Sequence, residues 1–329
     1  MHDEIAELVN EYYLSLPVAP FYEPVSPATV LEWFAPPHYD PRLFSAVVSE
    51  NGRVWSYSWA WSGGGLEPFE AGVVLVVKPS LPPAVAVRVS EALLSWARHS
   101  LVSWQGVRGS VVVYSTLGAG PLPRLLVELL GGGHPILTWG YVLSMEPAGS
   151  EPKGKPSGGL VVRGAFPHRD DWDLQAIAAL LSESARSRLA SYLDVQELRE
   201  YYERFLSRRG AFTALAISSS GEPIGFVEAY THESLTGSIV GRVNSLVVSK
   251  RAKKEVEVGL GILAYAVSRL VDQGARIVYI DSTEGEVDLF LRAGFRLIAA
   301  YGGLRVNLDM LPLDSLDGAE PWNPRVCPV

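Results

Sequence analysis

Two glycines one residue apart, Gly259 and Gly261, lie just beyond a run of basic residues that includes Lys253 and Lys254. The pattern suits anion binding. A helix that opens after a strand presents unpaired backbone N–H groups and the positive end of its dipole, and glycines there give a bulky anion such as a diphosphate room to approach. A tight approach by a neighbouring backbone would use the same glycines. The second chemical candidate is Glu228, in Phe226-Val227-Glu228-Ala229-Tyr230, a carboxylate among apolar neighbours that could raise its pKa into the range of a general base. Its alternative is a solvent-facing strand residue. Tyr230 and Tyr265 are candidate acids or core residues. His168 and His232 fall in polar stretches and read as surface histidines. Cys327, the single cysteine, has no partner for an intrachain disulfide, and no His, Cys, Asp or Glu spacing suggests a metal site.

The elements that must position these residues run from Leu246 to Phe295. Leu246-Val247-Val248-Ser249 reads as a buried strand. The loop 250–255 follows, and Val256-Glu257-Val258-Gly259-Leu260-Gly261 opens a long apolar helix that ends near Gly274. A second strand from Ala275 to Asp281 leads into Ser282-Thr283, a short helix and Gly294-Phe295. Strand, glycine-containing loop, helix and strand form one βαβ crossover.

This order resembles the acetyl-CoA core of the GNAT acyltransferase superfamily. The family's loop reads Arg/Gln-x-x-Gly-x-Gly/Ala and lands on Val256 to Gly261. Its later helix reads Asn-x-x-Ala-x-x-Leu-Tyr-x-x-x-Gly-Phe and lands on Thr283 to Phe295, where Leu289, Gly294 and Phe295 match. Val256 replaces the Arg/Gln, Thr283 the Asn, and Phe290 the Tyr. The resemblance implies an α/β fold with a mixed sheet. It also implies acetyl-CoA as co-substrate, without a metal, held by Leu246, Val247, Val248, Lys253, Lys254, Val256, Val258, Gly259, Leu260, Gly261, Thr283 and Phe290. Within the family, a backbone N–H at the end of the strand before the loop polarises the thioester carbonyl, and Val248 is the nearest equivalent. Glu228 is the remaining candidate base, and Phe290 stands where the family's tyrosine acid would be.

The chain has 329 residues, of which 48% are hydrophobic and 19% charged, enough for two ordinary cores. A net charge of −8 argues against a general nucleic-acid binder. The first residues lack a signal peptide's basic and apolar regions, and no uncharged apolar run approaches the roughly 20 residues that span a bilayer. The expectation is a cytoplasmic protein outside the membrane.

The two halves repeat each other. Pro79 and Lys250 stand 171 residues apart, as do Val85 and Val256. Gly52 and Gly221, in two hairpin turns, are 169 apart, and Ser115 and Ser282 are 167 apart. On this alignment the loop before the helix has one length in both copies, and Arg88 and Ser90 stand where Gly259 and Gly261 stand in the second. The first copy is therefore expected not to bind CoA in the same way. Trp55, Tyr57, Trp59 and Trp61 alternate along one strand and share a face, read as an interface.

The expected organisation is two GNAT-like domains in tandem. Residues 1–146 form a degenerate N-terminal domain, 147–159 a Pro/Gly linker, 160–310 the C-terminal GNAT domain and 311–329 an irregular tail. The expected activity is transfer of acetyl from acetyl-CoA to an amine on a small molecule or peptide, with the first domain structural. The alternatives are a silent CoA-binding or protein-interaction module on the same scaffold and a transferase of a larger acyl or aminoacyl group.

Overall fold

The computed structural model describes residues 2–33, 44–48, 53–62, 71–117, 130, 136–147, 160–183, 194–252, 254–282 and 286–312. The expected linker and tail fall almost wholly outside these residues, as do Gly52, Lys253, Thr283 and Cys327. In chain order the principal elements are α1 (His2–Leu14), α2 (Pro27–Trp33), β1 (Phe44–Val48), β2 (Val54–Ser62), β3 (Ala71–Val77), α3 (Pro83–Gln105), β4 (Ser110–Leu117), β5 (Ile136–Met145) and β6 (Val161–Ala165). There follow α4 (Asp171–Glu183), α5 (Val195–Leu206), β7 (Phe212–Ile217), β8 (Pro223–Glu233), β9 (Ile239–Val248), α6 (Glu255–Asp272), β10 (Ile277–Ser282), α7 (Val287–Arg292) and β11 (Arg296–Asn307).

The chain divides into two units, one of residues 1–19, 24–139 and 299–329, the other of residues 20–23 and 140–298. The first holds strands in the order β1-β2-β3-β4-β11, the second β5-β10-β9-β8-β7-β6. In each sheet one neighbouring pair is parallel, β3 with β4 and β9 with β10, so both are mixed sheets with a βαβ crossover through α3 or α6. The units are not contiguous spans like 1–146 and 160–310. β5, written before residue 147, pairs with β10, and β11, written after residue 295, pairs with β4.

The apolar periodicity explains which faces are covered. In the second unit, Val227 and Ala229 of β8 and Val243 of β9 face Ile262, Leu263 and Ala266 of α6. On the opposite face Phe226 and Tyr230 of β8 meet Leu174 and Ile177 of α4 and Leu198 and Tyr202 of α5. Asp194 caps α5, its side chain accepting from the N–H groups of Gln196 and Glu197, an arrangement worth about 1 kcal/mol. Gly241 is required where α6 crosses β9, because a Cβ there would lie 2.9 Å from the Cβ of Leu270. In the first unit α1 buries Ile5, Leu8, Val9 and Tyr12, the face its spacing predicts. The aromatic stripe of β2 is partly core: Tyr57 is buried and stacks on Phe44 at 5.6 Å, and Trp59 meets Trp61 edge-on at 6.4 Å.

The internal repeat is visible in backbone detail. The β1–β2 hairpin shifts register between Val47 and Val48, and the β7–β8 hairpin shifts at the equivalent step between Ala216 and Ile217. Lys78 N–H donates to Trp55 O, and Ser249 N–H donates to Ile224 O, the same bond in both copies. The helix alignment differs from the one read off the sequence. Ala86, Val89, Leu93, Leu94 and Ala97 are buried along α3, and Gly259, Ile262, Ala266, Val267 and Leu270 along α6, a constant separation of 173. The chain between strand and helix is longer in the second copy, 249–254 against 78–82. Ala86, not Arg88, is therefore the counterpart of Gly259, and the exposed Arg88 does not stand in its place.

Candidate active site

One inserted residue shapes the second unit's sheet. β8 and β9 pair Glu228 with Ser245 and then Ala229 with Val243, so Asn244 is a bulge with no partner of its own. The parallel ladder between β9 and β10 runs from Val240–Ile277 to Val243–Ile280 and stops there, although β9 continues to Val248 and β10 to Ser282. Beyond the bulge the two parallel strands separate, leaving one edge of residues 244–248 unpaired among the described residues.

The direction of the free amides follows from the ladder. Because Ser249 N–H donates to Ile224 O, the two-residue alternation of an antiparallel pair engages Val247 and Ser245 with β8. Leu246 and Val248 then turn their N–H and C=O groups to the unpaired edge. Their side chains pack toward α6, whereas Val247 is buried on the α4–α5 face.

The mouth of α6 lies six residues beyond this edge. Lys254 occupies the N-cap position with φ −135° and ψ 60° and makes no side-chain cap, so the first N–H groups of the helix have no such partner. The surrounding charges are largely paired. Lys254 Nζ lies 2.9 Å from Glu257 Oε2, Arg251 3.3 Å from Glu183 Oε1, and Ser249 Oγ donates to Glu183 Oε2 at 2.7 Å. Two glutamates, Glu255 and Glu257, stand in the first turn of α6, which weakens its pull on an anion. Val256 is exposed, Val258 is buried, and Leu260 is half-buried against the core. Gly259 and Gly261 are buried. A Cβ on Gly259 would lie 2.9 Å from Leu289 Cδ2 and 3.5 Å from Val248 Cγ2, so this glycine lets α7 pack closely on α6. Phe290 is 1% exposed and packs edge-on against Phe295 at 5.9 Å, a core position.

Glu228 is 0% exposed, which overturns its reading as a solvent-facing residue. Its Oε1 accepts hydrogen bonds from Tyr201 of α5 at 3.0 Å and from the Asn244 amide, while Oε2 has no partner among the described residues. Burial pushes the carboxyl up to about 7, against the lowering effect of Asn244, Tyr201, Tyr202 and Arg208. Among the described residues the buried Tyr202 hydroxyl has no hydrogen-bond partner, although it and Glu228 lie close enough to perturb each other. Burial drives Tyr202 upward as well, so it stays a neutral phenol.

A second polar cluster extends along the same face. Arg242 of β9 donates to Asp281 at 2.8 Å and to the Tyr230 hydroxyl at 3.3 Å, and lies over the ring of Tyr279. His232, read from sequence as a surface residue, is half-buried: one ring nitrogen is 2.9 Å from Phe21 O, the other 3.5 Å from Glu23. Burial lowers its pKa, the nearby Glu23 opposing this. Tyr265 packs on the α6 face, away from Glu228. His168 is half-buried, its carbonyl accepting from Arg199. Among the described residues no group of His, Cys, Asp and Glu could hold a metal ion, and no helix is long and apolar enough to cross a membrane.

Sequence reasoning named Glu228 and the β9 backbone as candidates and did not name Tyr201, Asn244, Arg242 or Asp281, which the structure places in the polar clusters on this face. An amphipathic helix and a bulge bring these together, and neither Tyr201 nor Asn244 is marked by local composition.

No sequence-family model and no curated protein matches the chain. Solved structures do. A GCN5-related N-acetyltransferase from Sphaerobacter thermophilus is 18% identical, with 93% of this chain and 92% of that one covered at a TM-score of 0.62. A tandem GNAT protein from the clavulanic acid biosynthesis pathway is 17% identical, covering 93% and 95% at 0.63. A GNAT-family acetyltransferase from Colwellia psychrerythraea is 11% identical, covering 92% and 96% at 0.57. At these identities the likeness establishes the fold alone: two GNAT folds in tandem.

Proposed function

We propose, from this tandem GNAT architecture, that the second unit transfers an acetyl group from acetyl-CoA to the amine of a small molecule or peptide. The observation that carries the reading is the opening between β9 and β10. It leaves the backbone of Leu246 and Val248 unpaired, with the uncapped mouth of α6 following and a buried carboxylate across the sheet.

The residues present fit the donor. An extended pantetheine arm can pair with the free β9 edge as an added strand would, and its diphosphate suits the first N–H groups of α6. Lys254, once released from Glu257, supplies charge there, and Lys253 precedes it in sequence. The apolar wall is formed by Leu246, Val248, Val258 and Leu260, with Gly259, Gly261 and Phe290 fixing the packing behind it. Thr283, also expected to meet the donor, follows β10 in sequence and lies outside the described residues. The thioester, when bound, supplies an activated carbonyl. Val248 N–H donates to its oxygen as charge develops there, a contribution that survives any side-chain change. Glu228 takes a proton from the acceptor's ammonium, and its raised pKa matches that task near neutral pH. The freed amine then forms the C–N bond as the C–S bond breaks, and its remaining excess proton goes to the departing thiolate.

Two measurements test this. Saturating acetyl-CoA at roughly 100 Kd should stabilise the protein by about 2.7 kcal/mol, read as a thermal shift. Thiol release against a panel of primary amines then separates an enzyme from a silent CoA-binding module. No shift with any acyl-CoA rejects both. Release that is faster with a longer acyl donor than with acetyl-CoA selects the larger-acyl alternative.

A further inference from the structure

Glu228 presents a difficulty that the proposed chemistry must meet: a fully enclosed carboxylate cannot touch an incoming ammonium directly. The half-buried Tyr201 can bridge them. Its hydroxyl donates to Glu228 Oε1 at 3.0 Å, and Asn244 Nδ2 reaches both that hydroxyl, at 3.4 Å, and the same carboxylate oxygen. The ring is fixed by packing: it stacks on Phe205 at 5.9 Å with an interplanar angle of 11° and meets Tyr202 edge-on at 5.1 Å. From this geometry we infer that Tyr201 is the proton relay between the outer side of this face and Glu228, with Asn244 as the positioning residue that holds relay and carboxylate in register.

The step balances. Tyr201 O–H passes its proton to Glu228 Oε1 while the phenol oxygen accepts one from the acceptor ammonium or a water. Tyrosine ends neutral, Glu228 ends protonated, and one proton has moved inward. The titratable and charged groups around Glu228 are Tyr201 and Tyr202 from α5 and Arg208 just beyond it. Its strand neighbours are uncharged, Thr213 on β7 and Ser245 on β9.

The inference rests on Glu228 being the base, and its test needs neither donor nor acceptor. In D2O well below pH 7, the carbonyl stretch of the protonated Glu228 shifts as its proton exchanges for deuterium. Glu228→Gln identifies the band by removing it. Tyr201→Phe keeps the stacked ring and should slow this exchange by at least about tenfold, while Asn244→Ala moves the titration upward by removing a donor to the anion. Backbone amide exchange on β8 in the same samples separates the relay from local opening. Unchanged carboxyl exchange in Tyr201→Phe, or slowing matched by the β8 amides, overturns the relay. Should Glu228→Gln retain the parent rate with acetyl-CoA and an amine, the base reading falls, and the exchange measurement still decides the relay.

Discussion

The sheet segments β2-β3-β4 and β8-β9-β10 follow one pairing pattern, which in the second carries one inserted residue. Both hairpins carry the same first bulge, and both strand ends make the same backbone bond, Lys78 to Trp55 and Ser249 to Ile224. In the first unit β2 and β3 then run in unbroken register from Ser56–Val77 to Ser62–Ala71, and β3 stays paired with β4 as far as Val74–Tyr114. In the second unit Asn244 is inserted and the parallel pairing ends one step earlier. Register equates Trp59 with Glu228 and Gly72 with Arg242, while Asn244 has no counterpart at all. One copy therefore has neither the carboxylate nor the amide that holds it. A functional site here is less a set of side chains than a local break in pairing, into which suitable side chains then point.

Deleting Asn244 should break the contrast most completely. β9 would then pair with β8 in unbroken register, as β3 does with β2, its other residues keeping their faces while the amide that holds Glu228 is lost. We expect the acetyl-CoA thermal shift to vanish. Next in size, Glu228→Gln should lower turnover about 10²- to 10⁴-fold. It should also change stability in a defined direction. The folded carboxyl titrates at about 7 and the ordinary value is 4.5, so the folded state binds the extra proton between them and the parent protein loses stability as pH rises through that window. The neutral variant escapes this loss. It should be more stable than the parent by up to about 3 kcal/mol above pH 7 and equal to it below pH 4, in denaturant titrations at the two pH values. Turnover of the parent should rise with pH and level off above about 7.

Val248→Pro removes the one backbone donor assigned to the thioester oxygen. Its N–H faces the unpaired edge, so proline is tolerated there as on an edge strand. Turnover should fall about 10²-fold with acetyl-CoA affinity little changed, as a comparison of kcat with KM will show. The smallest effect concerns the helix seam. Gly259→Ala places a Cβ against Leu289, a flexible side chain, and gains helix propensity, so we expect a net loss of about 1 kcal/mol or less. Adding Leu289→Ala should relieve the contact, and the pair should be non-additive in a double-mutant cycle.

Much of this was legible in the residues, for stated reasons. The crossover from Leu246 to Phe295 declares itself because apolar runs, a polar loop and glycines change period at its boundaries. Glu228 is visible as a carboxylate between Val227 and Ala229, although only the packed α5 shows it to be enclosed. The bulge leaves no compositional mark; it exists in sequence only as a one-residue change in repeat spacing between Gly72–Arg242 and Val74–Ser245, readable once both registers are known. The helix offset of 173 was hidden because Arg88 and Ser90 align with the glycines by eye, while burial follows Ala86 and Val89. Tyr201 lies on a helix whose periodicity explains its burial without revealing what its hydroxyl meets.

The traded strands have a consequence for synthesis. The second unit needs nothing beyond residue 298, but the first lacks its β11 edge until residue 307 has been made. On the ribosome, the part encoded later is therefore the part that can close first, while the earlier-written sheet waits with β4 bare. Cutting the chain between the halves would leave one sheet without its border and the other without β5, so neither half should be soluble alone, whereas co-expressed halves could rescue each other.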